Sequence, residues 1–296
     1  LLNAKELRER HRDALESLAA CDLCPRACKV DRLSGRTGYC GAGALARVAA
    51  VSVHCGEEPP ISGTRGSGTV FYGGCNMDCL FCQNFPISRL GGGRETTTGE
   101  LGDRLVELQR RGAHNVNFVT PTPHIAHLIG ALAHARENGF ELPVVYNTNG
   151  YESIRGLSLL DGVVDIYLPD VKYRTGKLAE SVSGTADYPE HDAAAVAEMV
   201  RQVGMLETDG DGIARRGVLI RHLVLPGHID ETERVLSYIR ERFGPGMPLS
   251  LMGQYFPAWK AHDRAGFDRK LTPEEYERAV DFADRLGLNN VFIQEL

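Results

Sequence analysis

From about residue 69 onward the chain alternates short apolar runs with amphipathic stretches, and no other feature restricts its folding options as strongly. The runs Thr69–Tyr72, Val116–Val119, Val144–Tyr146, Val163–Leu168, Val218–Leu225 and Leu249–Met252 are β-rich and bounded by turn-forming residues, which predicts buried strands. Between them Leu101/Leu105/Leu108, Ile125/Leu128/Ile129/Leu132, Val196/Met199/Val200/Val203 and Leu236/Ile239/Phe243 recur at helical intervals. Strand alternating with helix implies parallel strands joined by right-handed crossovers, an α/β fold. Thr272-Pro273-Glu274-Glu275 carries the start signals of a last helix leading to Val291–Ile293. About six or seven such units are too few for a closed eight-stranded barrel, so a partial (β/α)6 TIM-like barrel is expected, with its site at the C-terminal strand ends. The barrel is assigned to residues 69–296. Residues 1–68 hold a charged helix, a cysteine-rich stretch and the Gly/Pro-rich EEPPISGTRGSG, and read as an N-terminal extension.

The first strand runs into the loop GGCNMDCLFCQN, which carries Cys75, Cys79 and Cys82 at CxxxCxxC spacing. A 4Fe–4S cluster is normally closed by four thiolates, so three on one loop leave one iron open to an outside molecule. Zinc accepts similar spacings but needs a fourth Cys or His, and none lies within the loop. An odd number of crowded cysteines also makes a poor disulfide staple. A second set, Cys21, Cys24, Cys28 and Cys40 in CDLCPRACKVDRLSGRTGYC, supplies four thiolates, which suits a closed site: either Zn(Cys)₄ or a complete 4Fe–4S cluster. Zinc would clamp a segment with little apolar core of its own, whereas a cluster could also relay electrons. An unmetallated reduced set is the plain alternative. Cys55 stands alone and reads as a small packing residue.

Composition bears on location and partners. The start, LLNAKELRERHRDALESLAA, lacks the apolar core of a secretory signal and nothing resembles a membrane span, so a cytoplasmic protein is expected. Clustered cysteines in that compartment more often bind metal than pair. A net charge of −6 gives no electrostatic footprint for nucleic acid.

The remaining strand ends are polar. Thr120-Pro121-Thr122-Pro123 stops the second strand, because its prolines donate no hydrogen bonds. His124 and His127 follow on one helix face and read as surface or capping groups before catalytic ones. The third strand ends in Asn147-Thr148-Asn149-Gly150 and the fourth in Leu168-Pro169-Asp170-Val171-Lys172. In the fifth, Arg221 and His222 point to opposite faces. A buried unpaired arginine is costly, so Arg221 is expected to meet a carboxylate, and His222 to pack against a helix.

The CxxxCxxC loop, with Phe81 just before its last cysteine, resembles the signature of the radical S-adenosylmethionine (SAM) superfamily. Along nearly the whole chain CDLCPRACKVDRLSGRTGYC, HCGEEPPISGTRGSGTVFYGGCNMDCLFCQN, TPTPH, VYNTNGYES, DIYLPDVKY, IRHLVLPG and MGQYFP together resemble the PflX-type proteins of that superfamily, which are often labelled as pyruvate formate-lyase activating enzyme-like. The resemblance implies a partial barrel of the radical SAM type and a 4Fe–4S cluster on Cys75, Cys79 and Cys82. The open iron would take the amino and carboxylate groups of SAM. It also implies a cosubstrate pocket built from Phe81, Thr120, Asn147, Thr148, Asp170, Lys172 and Arg221; Gln254 and Tyr255, by their position at the sixth strand alone, are expected toward substrate. Thr120 and Thr122 stand where relatives carry Gly-Gly-Glu, and Asn147 replaces an aspartate that helps hold a monovalent cation in glycyl-radical-enzyme activases. The implied partners are a reducing electron donor, such as flavodoxin or ferredoxin, and a small-molecule, peptide or protein substrate. Three readings follow: a radical enzyme abstracting hydrogen from a small molecule or peptide, an activase making a glycyl radical on a protein partner, and a zinc-stabilised binding module without catalysis.

Overall fold

A computed structural model of the chain describes residues 2–294. It opens with α1 (Ala4–Glu16), capped by Asn3, whose side chain accepts from the Lys5 and Glu6 N–H groups while Glu6 returns a bond to the Asn3 N–H. β1 (Ala46–His54), the single turn α2 (Pro59–Ser62) and β2 (Ser67–Tyr72) follow, then the turn α3 (Phe85–Ser88), β3 (Arg94–Thr96) and α4 (Thr98–Arg110). The middle of the chain forms β4 (Val116–Val119), α5 (Ile125–Glu137), β5 (Val144–Thr148), α6 (Ile154–Ser158), β6 (Ile166–Pro169), α7 (Gly176–Ser183) and α8 (Tyr188–Val203). Last come β7 (Glu207–Thr208), β8 (Ala214–Val218), β9 (Ile220–Leu223), α9 (Ile229–Phe243), β10 (Leu249–Met252), α10 (Pro273–Arg285) and β11 (Val291–Ile293). The reciprocal Thr272–Glu275 cap starts α10 where its sequence signals put it.

The strands form two sheets in the orders β3-β1-β2-β4-β5-β6-β8-β7 and β11-β10-β9. β2, β4, β5, β6 and β8 run parallel, as do β9, β10 and β11, so the body is the expected partial barrel. It stays open between β11, which among the described residues pairs only with β10, and β2, whose free edge is taken by antiparallel β1. Residues 1–68, set apart by composition, join this same sheet through β1 and the same core through Leu7, Ala14 and Leu18 on and after α1.

Two strand limits differ from the sequence reading. Val163 and Val164 belong to the turn after α6, both donating to the Leu160 carbonyl, so β6 begins at Ile166. The run Val218–Leu225 is divided into β8 and β9 because its ladder to β6 loses a rung. Leu219 N–H donates to the Tyr167 carbonyl and Val171 N–H to the Arg221 carbonyl, but the residue between them on β6 is Pro169, which has no N–H to give. Above that gap β6 and β9 touch through an isolated bridge, Asp170 to Arg221.

Side chains alternate along the barrel strands as period two requires. Val144, Tyr146, Tyr167, Val218 and Ile220 pack under the helices, whereas Val145, Ile166, Leu168 and Leu219 turn into the bore. There they meet Ile61 of α2, which is fully buried and contributes about 1.5–3 kcal/mol by that burial. The segment between β1 and β2 therefore plugs the bore from below, leaving the upper strand ends to line a cleft.

Candidate active site

At the end of β2, Gly73 and Gly74 turn the chain across the tops of the strands. Gly74 has φ 83, and a Cβ there would run into the Cys40 carbonyl oxygen, so glycine is what lets the two cysteine segments touch. The Asp78 and Leu80 N–H groups donate to the Ser183 and Val182 carbonyls at the end of α7, pinning the loop from its far side. Each thiol has a polar neighbour: Asn149 Nδ2 donates to Cys75 Sγ at 3.4 Å, Ser183 Oγ donates to Cys79 Sγ at 3.1 Å, and Ser88 Oγ lies 3.3 Å from Cys82 Sγ. Phe81 is buried against Tyr255 and Phe267.

The three thiols form one wall of a cleft of about 900 Å³, measured with its open mouth. Phe81, Thr120, Asn147, Thr148, Asp170, Lys172 and Arg221 line it, together with Gln254, so the polar strand ends singled out in the sequence are brought together here. Thr120 holds an unusual left-handed backbone at φ 55, which costs roughly 1–2 kcal/mol, and its N–H donates to the Asn147 carbonyl on β5. Thr122 and Tyr255 do not line the cleft. Thr122 enters the short 3₁₀ turn before α5 and is buried, and Tyr255 donates to the Phe267 carbonyl behind Phe81.

His124 and His127 are buried, not on the surface as their position suggests; His124 does stand at the N-cap of α5, but its side chain makes no capping hydrogen bond. Burial pushes the first down to about 3 and the second to about 4, so both rings are neutral near pH 7. His124 Nε2 donates to the Gly73 carbonyl at 2.7 Å and its ring stacks on Tyr72, fixing the base of the cysteine loop. His222 packs on α9 as expected, 3.0 Å from Thr232 Oγ1.

One side of the cleft carries a buried charge cluster. Asp170 Oδ2 lies 2.6 Å from Lys172 Nζ, and Asp170 Oδ1 accepts from Arg221 Nε and Nη2 at 2.9 Å each. A second acid, Glu58, reaches Arg221 Nη1 at 3.6 Å. Burial alone would push the Asp170 carboxyl up, but Arg221 and Lys172 hold it below the ordinary value. The pair is therefore sequestered, unlike a solvated strand-end ion pair. Behind Thr148 lies Glu152, fully buried, whose Oε1 accepts from the hydroxyls of Thr122 (2.5 Å), Thr148 (2.5 Å) and Tyr146 (3.2 Å). Burial raises its carboxyl to about 7 against these three donors. Sequence reasoning missed Glu58, Asn149, Glu152 and Ser183; Glu152 had one weak signal, an acid in the turn after the third strand.

Cys21, Cys24, Cys28 and Cys40 border a second, smaller cavity of about 330 Å³ with Arg32 and Tyr39. Burial pushes the Cys24 thiol up to about 12 and raises Cys40 as well. Arg26 ties this segment to the first: its Nε donates to the Asn76 carbonyl and its Nη2 to the Gly184 carbonyl, with the guanidinium over the Tyr39 ring. Among the described residues no three Cys, His, Asp or Glu side chains are grouped as a single metal ion would require; each thiol set borders a shared cavity instead. Cys55 is exposed, which excludes the packing role expected of it. Among the described residues no helix is long and apolar enough to cross a membrane.

Comparison with known proteins points one way. The family model described as the radical SAM superfamily matches residues 69–239, more than half of the chain. An uncharacterised protein of Methanocaldococcus jannaschii, MJ0674, is 31% identical over 282 residues, spanning 92% of this chain and 76% of that protein. A second from the same organism, MJ0808, is 25% identical over 296 residues. Among solved structures, anSMEcpe with bound AdoMet and Kp18Cys peptide superposes with TM-score 0.52 at 13% identity, over 80% of this chain and 62% of that one. Streptococcus suis SuiB bound to S-adenosylmethionine gives 0.51 at 12% identity, over 75% and 48%. The chain thus spans about half to three-fifths of those structures, and the likeness at such identity is one of fold.

Proposed function

The chain belongs to the radical SAM superfamily, and on that premise we propose that its cleft binds a 4Fe–4S cluster and SAM and starts hydrogen abstraction from a small-molecule or peptide substrate. The carrying observation is that Cys75, Cys79 and Cys82 share one cleft with Asp170, Lys172 and Arg221. The donor set fits the cluster, since three thiols face one space and no fourth cysteine lines it. When bound on Cys75, Cys79 and Cys82, the cluster would supply the one electron needed for reductive cleavage of SAM to methionine and a 5′-deoxyadenosyl radical.

The protein's own residues account for binding and control. Burial pushes the free Cys75 thiol up to about 12, so taking up iron releases protons. Cys79 is likewise raised by burial, and Lys172 opposes that shift, so a fixed cation stands beside the thiolate the metal needs. Lys172 and Arg221 offer only donors and Asp170, when ionised, only acceptors, so the amino and carboxylate groups of an amino-acid moiety meet both signs at one end of the cleft. Asn147, Thr148 and Thr120 complete the polar wall, and Phe81, packed on Tyr255 and Phe267, keeps the adjoining face apolar. Preorganised positioning is the chain's share of the catalysis.

The four N-terminal cysteines are read as a second metal centre, a 4Fe–4S cluster or zinc, and the one-electron donor as a flavodoxin or ferredoxin. Activation of a protein partner is the second reading. It draws on two structures of like fold bound to peptides, anSMEcpe with the Kp18Cys peptide and SuiB with the precursor peptide SuiA, and on Phe256, 49% exposed and two residues past the cleft-lining Gln254. Anaerobically reconstituted, reduced protein is expected to form 5′-deoxyadenosine from SAM, and Cys82→Ala to abolish it. Zinc without iron after anaerobic purification would refute the reading and leave the zinc-stabilised binding module. Iron retained by a Cys75/Cys79/Cys82 triple alanine variant would identify the second centre as a cluster, and a glycine-centred EPR signal on a co-encoded partner would favour the activase.

A further inference from the structure

Glu58 lies outside the family-matched stretch, which begins at residue 69, yet its side chain is only 6% exposed and reaches the Arg221 guanidinium in the wall of the cleft. It arrives on the plug between β1 and β2, and that plug is firmly held. Glu57 N–H donates to Ser62 Oγ, Asn115 Nδ2 donates to the Ile61 carbonyl, and Ser67 Oγ donates to Asn115 Oδ1. Gly63 closes the turn at φ 46, where a Cβ would strike the Ile213 side chain. Proline at both positions after Glu58 stiffens the backbone that presents it.

The charge count explains why an acid is needed there. Arg221, Lys172 and Asp170 are all withdrawn from solvent, and among the groups that pair directly with one another these three leave one positive charge without a carboxylate, which a buried site tolerates poorly. Glu58 makes the set two acids and two bases. Its placement is also complementary: Asp170 Oδ1 occupies Nε and Nη2 of Arg221, and Glu58 Oε1 faces the remaining Nη1. The other Glu58 oxygen is buried with no hydrogen-bond partner among the described residues, so Arg221 is the only cation with which the carboxylate forms an ion pair there.

We propose that Glu58 is a positioning residue: together with Asp170 it fixes the Arg221 guanidinium in the cleft wall, so that Arg221 meets the cosubstrate in one orientation. This rests on the reading that the cleft binds SAM. A residue delivered by the N-terminal plug then sets binding inside the barrel.

The test is equilibrium SAM binding to anaerobically reconstituted wild type, Glu58→Gln, Arg221→Met and the double variant. Gln is isosteric with Glu and removes only the charge, so the plug keeps its packing. Glu58→Gln neutralises the acid that faces Arg221 Nη1, and the expected effect is SAM binding weakened about tenfold. In the Arg221→Met background the same change is expected to alter affinity less than about twofold, because the group it positions is gone. Unchanged affinity in the single variant, or an equal loss in both backgrounds, overturns the proposal, the latter because it indicates a general structural effect. If wild type binds no SAM, the proposed function fails, and urea unfolding of the same four proteins decides the contact. The double variant more stable than Arg221→Met alone supports it, since Gln then relieves an unpaired buried charge, and strictly additive losses overturn it.

Discussion

Glu152→Gln separates the electrostatics beside the cleft from its packing. Burial raises the Glu152 carboxyl from 4.5 to about 7, so the folded protein holds this proton more tightly than the unfolded chain. Stability from such a group is fully present below pH 4.5 and is lost as pH rises through 7. Integrated between pH 5 and pH 8, the loss is about 2.5 kcal/mol. Gln cannot ionise, so the variant lacks this term, whatever constant offset it incurs by changing the bonds to Thr122, Tyr146 and Thr148. Urea unfolding of both proteins at intervals from pH 5 to pH 8 reads the prediction directly. The buried histidines His124, His127 and His222 are shifted down to about 3, 4 and 4, and their titration cancels when the two proteins are subtracted. The stability difference, wild type minus variant, is expected to fall by about 2.5 kcal/mol across the range. A pH-independent difference would show that Glu152 is ionised throughout, refuting the argument that desolvation outweighs its three hydroxyl partners.

Gly74→Ala forces a left-handed backbone on alanine and drives its Cβ into the Cys40 carbonyl; a loss of about 1–3 kcal/mol with faster proteolysis between residues 20 and 45 is expected, checked by thermal unfolding and limited digestion. Lys172→Met removes the cation that opposes burial at Cys79, so iron loading, followed by cluster absorbance, is expected to need a higher pH. Ile61→Ala empties part of the bore and is expected to cost about 2–5 kcal/mol in chemical denaturation.

Much of the barrel was legible because its strands are buried on both faces and its helices show clean amphipathic spacing. The polar strand ends were legible for the converse reason: Asn147, Asp170 and Arg221 interrupt or end apolar runs, and a chain tolerates that only where the groups find partners. Four features did not show. The ladder break at Pro169 depends on which strand becomes its neighbour. β1 lies outside the βα alternation, so Val48, Val51 and Val53 passed unnoticed within a stretch defined by composition. Glu58, set in Glu-Glu-Pro-Pro, reads as a solvated turn; its burial comes from the insertion of α2 among Val145, Ile166, Leu168 and Leu219, a contact made at long range. Glu152 escaped similarly, since its three hydroxyl partners come from two different strand ends.

The gap at Pro169 also has a mechanical consequence. Where the ladder between β6 and β9 loses its rung, what fastens the strands above it is the Asp170–Arg221 bridge, made by backbone and side chains together. Two groups that line the cleft are therefore also the stitch that holds this side of the barrel shut. Widening the molecule at that seam would dismantle that wall of the cleft. The opposite flank, between β11 and β2, carries no strand ladder among the described residues, so the two sides of the barrel are held by different means.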